Sequence, residues 1–442
     1  AVGMNCLLAN TTGGSNTAIG VDALKTVTTN WGNVAIGHSA LALNTGEYNT
    51  AIGTTAMDTN TSGDRNVAIG YGALDANTTG SRNVANGAYA LAVNTTASEN
   101  TAIGYQALSN NVTGAENTAT GYQALRNNTA SYNAAFGHET LELNTSGVGN
   151  TAVGADAMQA NTTASNNTGV GSFALIANTT GYSNTAVGND CMDSNTTGYE
   201  NVAIGTDALP ANTTGSRSVA IGKTALNDNT TAVYNTAVGF EGLSSVTTGN
   251  HNIGIGKSAG HNITDGTRNI ILGSGNTTSS PGGYDQIVMG YEVTGYSHAT
   301  FTFGNSTNDT TIGYGNTSWS APSDQRLKEE ITTSTAGLSF VNDLRPVTYK
   351  WKKEKDIPTD LKGYVEGSET RYKTDATEHG FIAQEVKTAI DNHSEIKDGF
   401  NMWSEDGSGG RQRIAEGTLI PILVKAIQEL SAKNEALLTR IE

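Results

Sequence analysis

Cationic residues are scarce over most of this chain. Of the 25 Lys and Arg in 442 residues, eight fall in 1–322, where Asp and Glu number 20. A stretch so poor in cations cannot displace the counterions of a phosphate backbone, so nucleic acid is not expected as a partner. Cysteine is nearly absent as well: Cys6 and Cys191 stand eleven repeats apart, a separation of roughly 50 Å if each repeat advances by one strand spacing, too far for a disulfide. No apolar run reaches the ~18–20 residues that cross a bilayer and no leader-like succession opens the chain, so membrane insertion is not expected. The sequence begins Ala1-Val2-Gly3 without an initiator Met, and the expectation is that a region upstream is missing. His38, His138, His251, His261 and His298 show no ligand spacing to Asp or Cys, so neither a metal nor a cofactor is expected. Carboxylates do not recur as a pair, which leaves no glycosidase site.

What the chain has in abundance is glycine, 53 of them, and a repeat. The triplet Ala-Ile/Val-Gly recurs with variants from Gly3 to Gly290, at fifteen intervals of 17 residues and two of 16. One unit, Asn100-Thr101-Ala102-Ile103-Gly104-Tyr105-Gln106-Ala107-Leu108, has a period of two around the triplet, so Thr and Ile share one strand face while Ala and Gly share the other. Asn-Thr-Thr-Gly supplies turn chemistry. Such a unit predicts one coil of a β-solenoid, eighteen coils in all, each with two short strands. The expected lumen is lined by Ile/Val and Leu, and the Ala/Gly column is expected to meet neighbouring chains. Asn-x-Thr triplets such as Asn77-Thr78-Thr79 match glycosylation acceptors, but their fixed place in every coil marks them as turn residues whose Asn side chains bond from coil to coil. Tyr71, Tyr105, Tyr122 and Tyr291 follow the repeat glycine directly and form an aromatic stripe that would serve packing or contact sugar. The repeat region, with its N-S/T-x-A-I-G-like strand, resembles the heads of trimeric autotransporter adhesins, although their repeats are shorter.

The period decays after Gly290. Residues 291–322 read as an irregular cap or neck that protects the open solenoid end, or as a tip that touches a receptor. Residues 323–442 then carry 17 Lys+Arg and 21 Asp+Glu, a more than threefold rise in charge density, and their pattern is that of a small α+β domain. A helix or turn is expected over Ser334–Leu344, a strand over Val347–Trp351, a polar excursion over Glu354–Thr377, and a strand or turn leading into a helix at Gly380–Val386. Across 418–442, Ile420, Leu423, Ile427, Leu430, Asn434, Leu437 and Ile441 step alternately by three and four, the seam of a coiled coil. The Ile/Leu/Asn composition of that seam favours two strands, whereas the solenoid calls for three.

Three ordered motifs carry a second resemblance. Ser323-Asp324-x-Arg326-Leu327-Lys328, then Gly380-Phe381-Ile382-Ala383-Gln384-Glu385-Val386, then the Leu/Ile-rich terminal helix resemble the intramolecular chaperones of endosialidase type, also called peptidase family S74. The resemblance implies a domain that trimerises a phage tail fibre or spike and then cuts itself off between Ser323 and Asp324. Ser323 would be the nucleophile and Lys328 its base, with Arg326, Leu327, Gly380, Ile382, Gln384 and Glu385 as motif residues. A lysine can serve as a base once desolvation lowers its pKa. On an extended strand the two side chains would face opposite ways, so a turn or a neighbouring chain must unite them.

The reading is therefore a mainly β protein: a trimeric β-solenoid shaft (1–290), a neck (291–322) and a self-cleaving chaperone domain (323–442). The expected partners are two further copies of itself, a host cell-surface receptor with carbohydrate among the candidates, and a virion tail reached through an upstream region. The expected place is the virion, after assembly in the host cytoplasm. A single self-cleavage is expected, with no turnover of an external substrate. The alternatives are an extracellular bacterial surface adhesin of trimeric type and an ice-binding solenoid.

Overall fold

The computed structural model describes residues 1–314, 325, 328–359, 361, 363–396, 400–405 and 412–441. The chain divides into two compact units, Ala1–Pro322 and Ser323–Glu442.

In the first unit sixteen three-residue strands run from β1 (Thr17–Ile19) to β16 (Ile270–Leu272), followed by the longer β17 (Ile287–Tyr291) and β18 (Thr300–Asn305). Each pairs in parallel with the next, one repeat on, so Thr101 lies beside Thr118 and Ala102 beside Ala119. The unit is a seventeen-turn β-solenoid. The first repeat contributes only an isolated bridge from Val2 to Ile19, which is why one turn fewer forms than there are repeat glycines. Glycine is required at the triplet for two reasons, seen at Gly104. Its φ is +133°, and a Cβ there would lie 2.3 Å from the carbonyl oxygen of Gly121 in the next coil.

Two expectations for the coil are corrected. The Ala-Leu segment is a turn and not a second strand, with Leu108 at φ 51°. Gln106 and Glu116 take the same left-handed conformation, which costs an L-residue about 1–2 kcal/mol. Each of these three N–H groups donates to a neighbouring coil: Leu108 to Ala124, Gln106 to Ala88 and Glu116 to Ser98. The bends that close a 17-residue coil are thus held by bonds between coils. The lumen departs from expectation on the strand, where the central alanines, such as Ala102, are wholly buried and the flanking Ile103 is 40% exposed; Leu108 lines it as expected. A coil this narrow already holds two alanines, one Leu or Met and two Asn side chains, all buried. An inward Ile would overfill it.

The buried asparagines form two ladders. In one, Asn195 Nδ2 donates to Asn178 Oδ1 (2.9 Å) and Asn212 Nδ2 donates to Asn195 Oδ1 (2.7 Å). In the other, the backbone N–H of Asn150 donates to Asn133 Oδ1 (2.9 Å), and that of Asn167 to Asn150 Oδ1 (3.0 Å). Three side-chain oxygens of the first ladder lack a partner: Asn94 Oδ1 does so although Asn111 follows one coil on, and the other two face valine. Asn10 Oδ1 and Asn229 Oδ1 are buried without a partner, and the slots one coil on hold Val27 and Val246. Asn195→Val orphans Asn178 Oδ1 and one rung donor, and should cost about 1–3 kcal/mol per orphaned group. Val246→Asn completes a rung and should raise the thermal midpoint read by circular dichroism. Asn77 is fully buried, so its glycosylation triplet is a turn element, as expected.

The parallel succession ends at β18, which pairs antiparallel with β19 (Asp309–Gly313). Towards this end the inward slot enlarges from Ala to Ile271 and Val288. The hairpin lies where the 17-residue period decays.

In the second unit, α1 (Leu338–Asp343) precedes an antiparallel pair, β20 (Val347–Tyr349) with β21 (Glu378–Gly380). Then come α2 (Ala383–Asn392), a second pair, β22 (Trp403–Glu405) with β23 (Gln412–Ile414), and α3 (Ile420–Leu438). Phe340, Val386, Ile390, Met402, Leu419 and Ile422 form its core.

Candidate functional site

Helix α3 decides how the second unit can be used. Pro421 opens it at a position where a missing N–H costs nothing. Its own-domain face is short: Ile422 and Ala426 are buried, and Glu429 Oε2 accepts the Leu338 N–H at the start of α1 (2.9 Å). The predicted seam lies elsewhere on the helix. Ile420, Leu423, Ile427, Leu430 and Leu437 are all exposed, Ile427 at 66%, and Asn434 is exposed among them. Ile441 lies just beyond α3 and is also exposed. A stripe serving only the domain's own core would be buried, so this helix carries two faces and one of them is open.

The Gly-Phe-Ile-Ala-Gln-Glu motif is a strand-to-helix junction. Gly380 ends β21, Ile382 is the N-cap of α2, and Gln384 and Glu385 lie in its first turn. Arg345 clamps Glu385 with two hydrogen bonds, one of 3.0 Å from Nε. Its guanidinium holds the Glu385 carboxyl below the usual range. Phe381, Ile382 and Gln384 line a cavity of about 950 Å³ together with Tyr349 and Trp351. Sequence reading missed the β22–β23 pair, whose β23 residues Gln412, Arg413 and Ile414 form another wall, since its two strands are separated by residues of no apolar period.

Of the processing motif, Ser323, Asp324, Arg326 and Leu327 lie outside the described residues. Lys328 is exposed and its backbone N–H donates to Gln325 O (3.1 Å).

His393 ties the domain together. It is nearly buried, with Nε2 at 2.8 Å from Asp343 Oδ2 at the end of α1 and Nδ1 at 2.9 Å from Glu395 Oε1. Phe340 meets it edge-on. Asp343 first, then Glu395, raise its pKa, so the stabilisation is complete below the unfolded value near 6.5 and is lost as pH rises through the folded value. The unfolding midpoint of the C-terminal unit should therefore fall between pH 6 and pH 8, and His393→Gln should flatten that fall.

On the solenoid, Tyr71, Tyr89, Tyr105, Tyr122 and His138 form a ladder, stacked at 5.6 Å (Tyr105–Tyr122) and 5.1 Å (Tyr122–His138). Tyr89 sits one position off the expected stripe, and Tyr291 makes no ring contact with the ladder. Tyr71–Tyr89 and Tyr89–Tyr105 meet edge to face rather than stacked, so every ring of the ladder spends a face or an edge on its neighbour, an arrangement of packing. His138 also approaches Asp156 Oδ1 (3.3 Å) and Glu139 Oε1 (3.8 Å), the one group of metal-ligand type among the described residues. Its partner lies one coil on, so linear spacing did not reveal it. Burial pushes the Cys191 thiol up to about 12, and Cys6 and Cys191 are both free. Thr hydroxyls of the turns donate to the next coil, Thr196 to Thr213 O (3.0 Å) and Thr213 to Thr230 O (3.1 Å); they are spent inside the ladder and so argue against an ice-binding face.

Comparison with known families adds the deciding observation. Residues 323–395 match the family model described as chaperone of endosialidase. The C-terminal unit carries a chaperone of endosialidase domain. No curated protein matches the chain, and no solved structure does. The match runs from the predicted cleavage motif through the Gly-Phe-Ile-Ala-Gln-Glu junction of the chaperone domain to Glu395, and α3 follows beyond it.

Proposed function

We propose that this protein is a homotrimeric shaft of a phage tail fibre or spike, brought into register by its chaperone domain, which then detaches by cutting Ser323–Asp324. The observation that carries this reading is the outward column of the solenoid. Ile52, Ile69, Ile103, Val153, Ile204 and Ile221 are all exposed along the strands of one sheet, next to outward Thr and Val. The column is broken only by Asn86 and Thr120, and an exposed, mainly apolar ribbon of this length is a surface for association. The open seam of α3 supports the same conclusion from the other unit.

Self-similarity explains the need for a chaperone. Slipping two solenoids by one repeat preserves almost every contact, so register must be set from outside the repeat. Cleavage then removes the reverse path and leaves kinetic stability. The chemistry calls for more than one chain. Ser323 Oγ attacking the carbonyl of its own residue would close a four-membered ring; attack from a neighbouring copy avoids it. That copy's oxygen attacks the Ser323 carbonyl while Lys328 takes the hydroxyl proton and hands it to the Asp324 nitrogen, which leaves as the free amine, and water then hydrolyses the ester between the copies. Host attachment by the exposed solenoid flanks completes the reading. The test is dilution of unprocessed chain from denaturant over a range of concentrations: cleavage should fall steeply as the chain is diluted, whereas a rate independent of concentration contradicts it.

A further inference from the structure

The cavity beside the motif of the chaperone domain is unevenly charged. Four cations, Lys350, Lys352, Lys373 and Arg413, face one carboxylate, Glu416, over an apolar floor that includes Phe381 and Ile414. Lys373 Nζ sits 4.3 Å from the centroid of the Trp351 ring, so one wall is aromatic and cationic together. Lys350 and Lys352 alternate with Trp351 along the chain, and neither side chain forms an ion pair among the described residues. Tyr349 of β20 and Gln412, Arg413 and Ile414 of β23 line the cavity, and each of these strands belongs to a two-stranded sheet whose outer edges can accept another.

The same unit holds an exposed segment of matching chemistry. Residues 328–335 are without regular structure, bend at Glu330 (φ 54°) and are exposed throughout. Glu329 and Glu330 form no ion pair among the described residues, and Ile331 is 61% exposed. Two carboxylates followed by one large apolar side chain complement a cationic rim over an apolar floor. None of these residues lines the cavity of its own copy.

We infer that the cavity receives residues 328–335 of a second copy, so that assembled chains exchange arms around the chaperone domain. This rests on the trimer proposed above and deepens it. Arm exchange gives each chain's cleavage motif to its neighbour, which supplies the contact between copies that the serine chemistry requires. It also makes each domain incomplete alone, so the cationic cavity of an unassembled chain stays open.

The test is a cysteine pair in the full chain, Glu330→Cys with Lys352→Cys, in a Cys6→Ala, Ser323→Ala background; Cys191 is buried and its thiol is unreactive. Sedimentation first establishes the assembly state of each protein. Mild oxidation of a trimeric pair variant should give covalently joined chains on a non-reducing gel, with each single-cysteine variant remaining one chain. A trimer that yields no link between chains, or only a link within one chain, overturns the arm exchange and leaves the trimer standing. A monomeric parent overturns both. A second, charge-based set covers a pair variant that fails to fold. Lys350→Glu with Lys352→Glu should slow processing about tenfold or more, and adding Glu329→Lys with Glu330→Lys should restore it. Loss without restoration contradicts the exchange.

Discussion

Freshly expressed full chain should yield two polypeptides, the shorter beginning at Asp324, while Ser323→Ala and Lys328→Ala each remain a single species of full mass. The effect is all-or-none, because no other hydroxyl or thiol stands in the motif. A serine hydroxyl is a weak nucleophile until a base takes its proton, and the motif supplies one lysine for that task. Intact mass spectrometry reads the outcome directly. An uncut parent under folding conditions removes the protease from the account and leaves a repeat shaft with a permanently attached chaperone domain. Cutting that persists in Ser323→Ala removes serine as the nucleophile.

The second large effect separates the two faces of the solenoid strand. Ile204→Lys combined with Ile221→Lys should abolish association while leaving the coil intact, because both side chains point outward and a lysine there meets water in the single chain. In the assembly the same lysines would be buried unpaired, which costs several kcal/mol per charge. Ala203 and Leu209 are fully buried in that coil. Leu209→Ala should cost about 2–5 kcal/mol by leaving a cavity, and Ala203→Leu should overpack the lumen. Sedimentation should report the lysine variant as single chains with an unchanged β signal in circular dichroism, and the two inward variants should instead lower the unfolding midpoint. The opposite pattern, with inward changes tolerated and outward changes unfolding the chain, contradicts the arrangement.

These two experiments bear on different halves of what sequence could convey. The 17-residue period declared a solenoid because Gly104 and its equivalents are demanded by contact with the next coil, a constraint that leaves the same residue at the same place every time. Alternation told which residues share a face but not which face is inside, since Ala-in and Ile-in patterns have the same period. Volume decides that, and it depends on the two Asn ladders and the Leu already filling the coil. The left-handed turn at Leu108 was hidden because leucine carries no turn signal; bonds from the next coil impose it. In the chaperone domain the seam from Ile420 to Leu437 was legible as a heptad, and its exposure on α3 gives that pattern its meaning. His393 was not legible, because its partners Asp343 and Glu395 lie on separate segments. Nor was the cavity, whose cations converge from three stretches of chain.

The central claim is that three copies assemble through the outward column of the solenoid and the seam of α3. Sedimentation equilibrium of the uncut Ser323→Ala chain tests it most directly. The account predicts the mass of three chains, persisting at the lowest measurable concentration, and a single-chain mass for the same protein carrying Ile204→Lys and Ile221→Lys with Ile427→Lys. A single-chain mass for the uncut chain itself contradicts it.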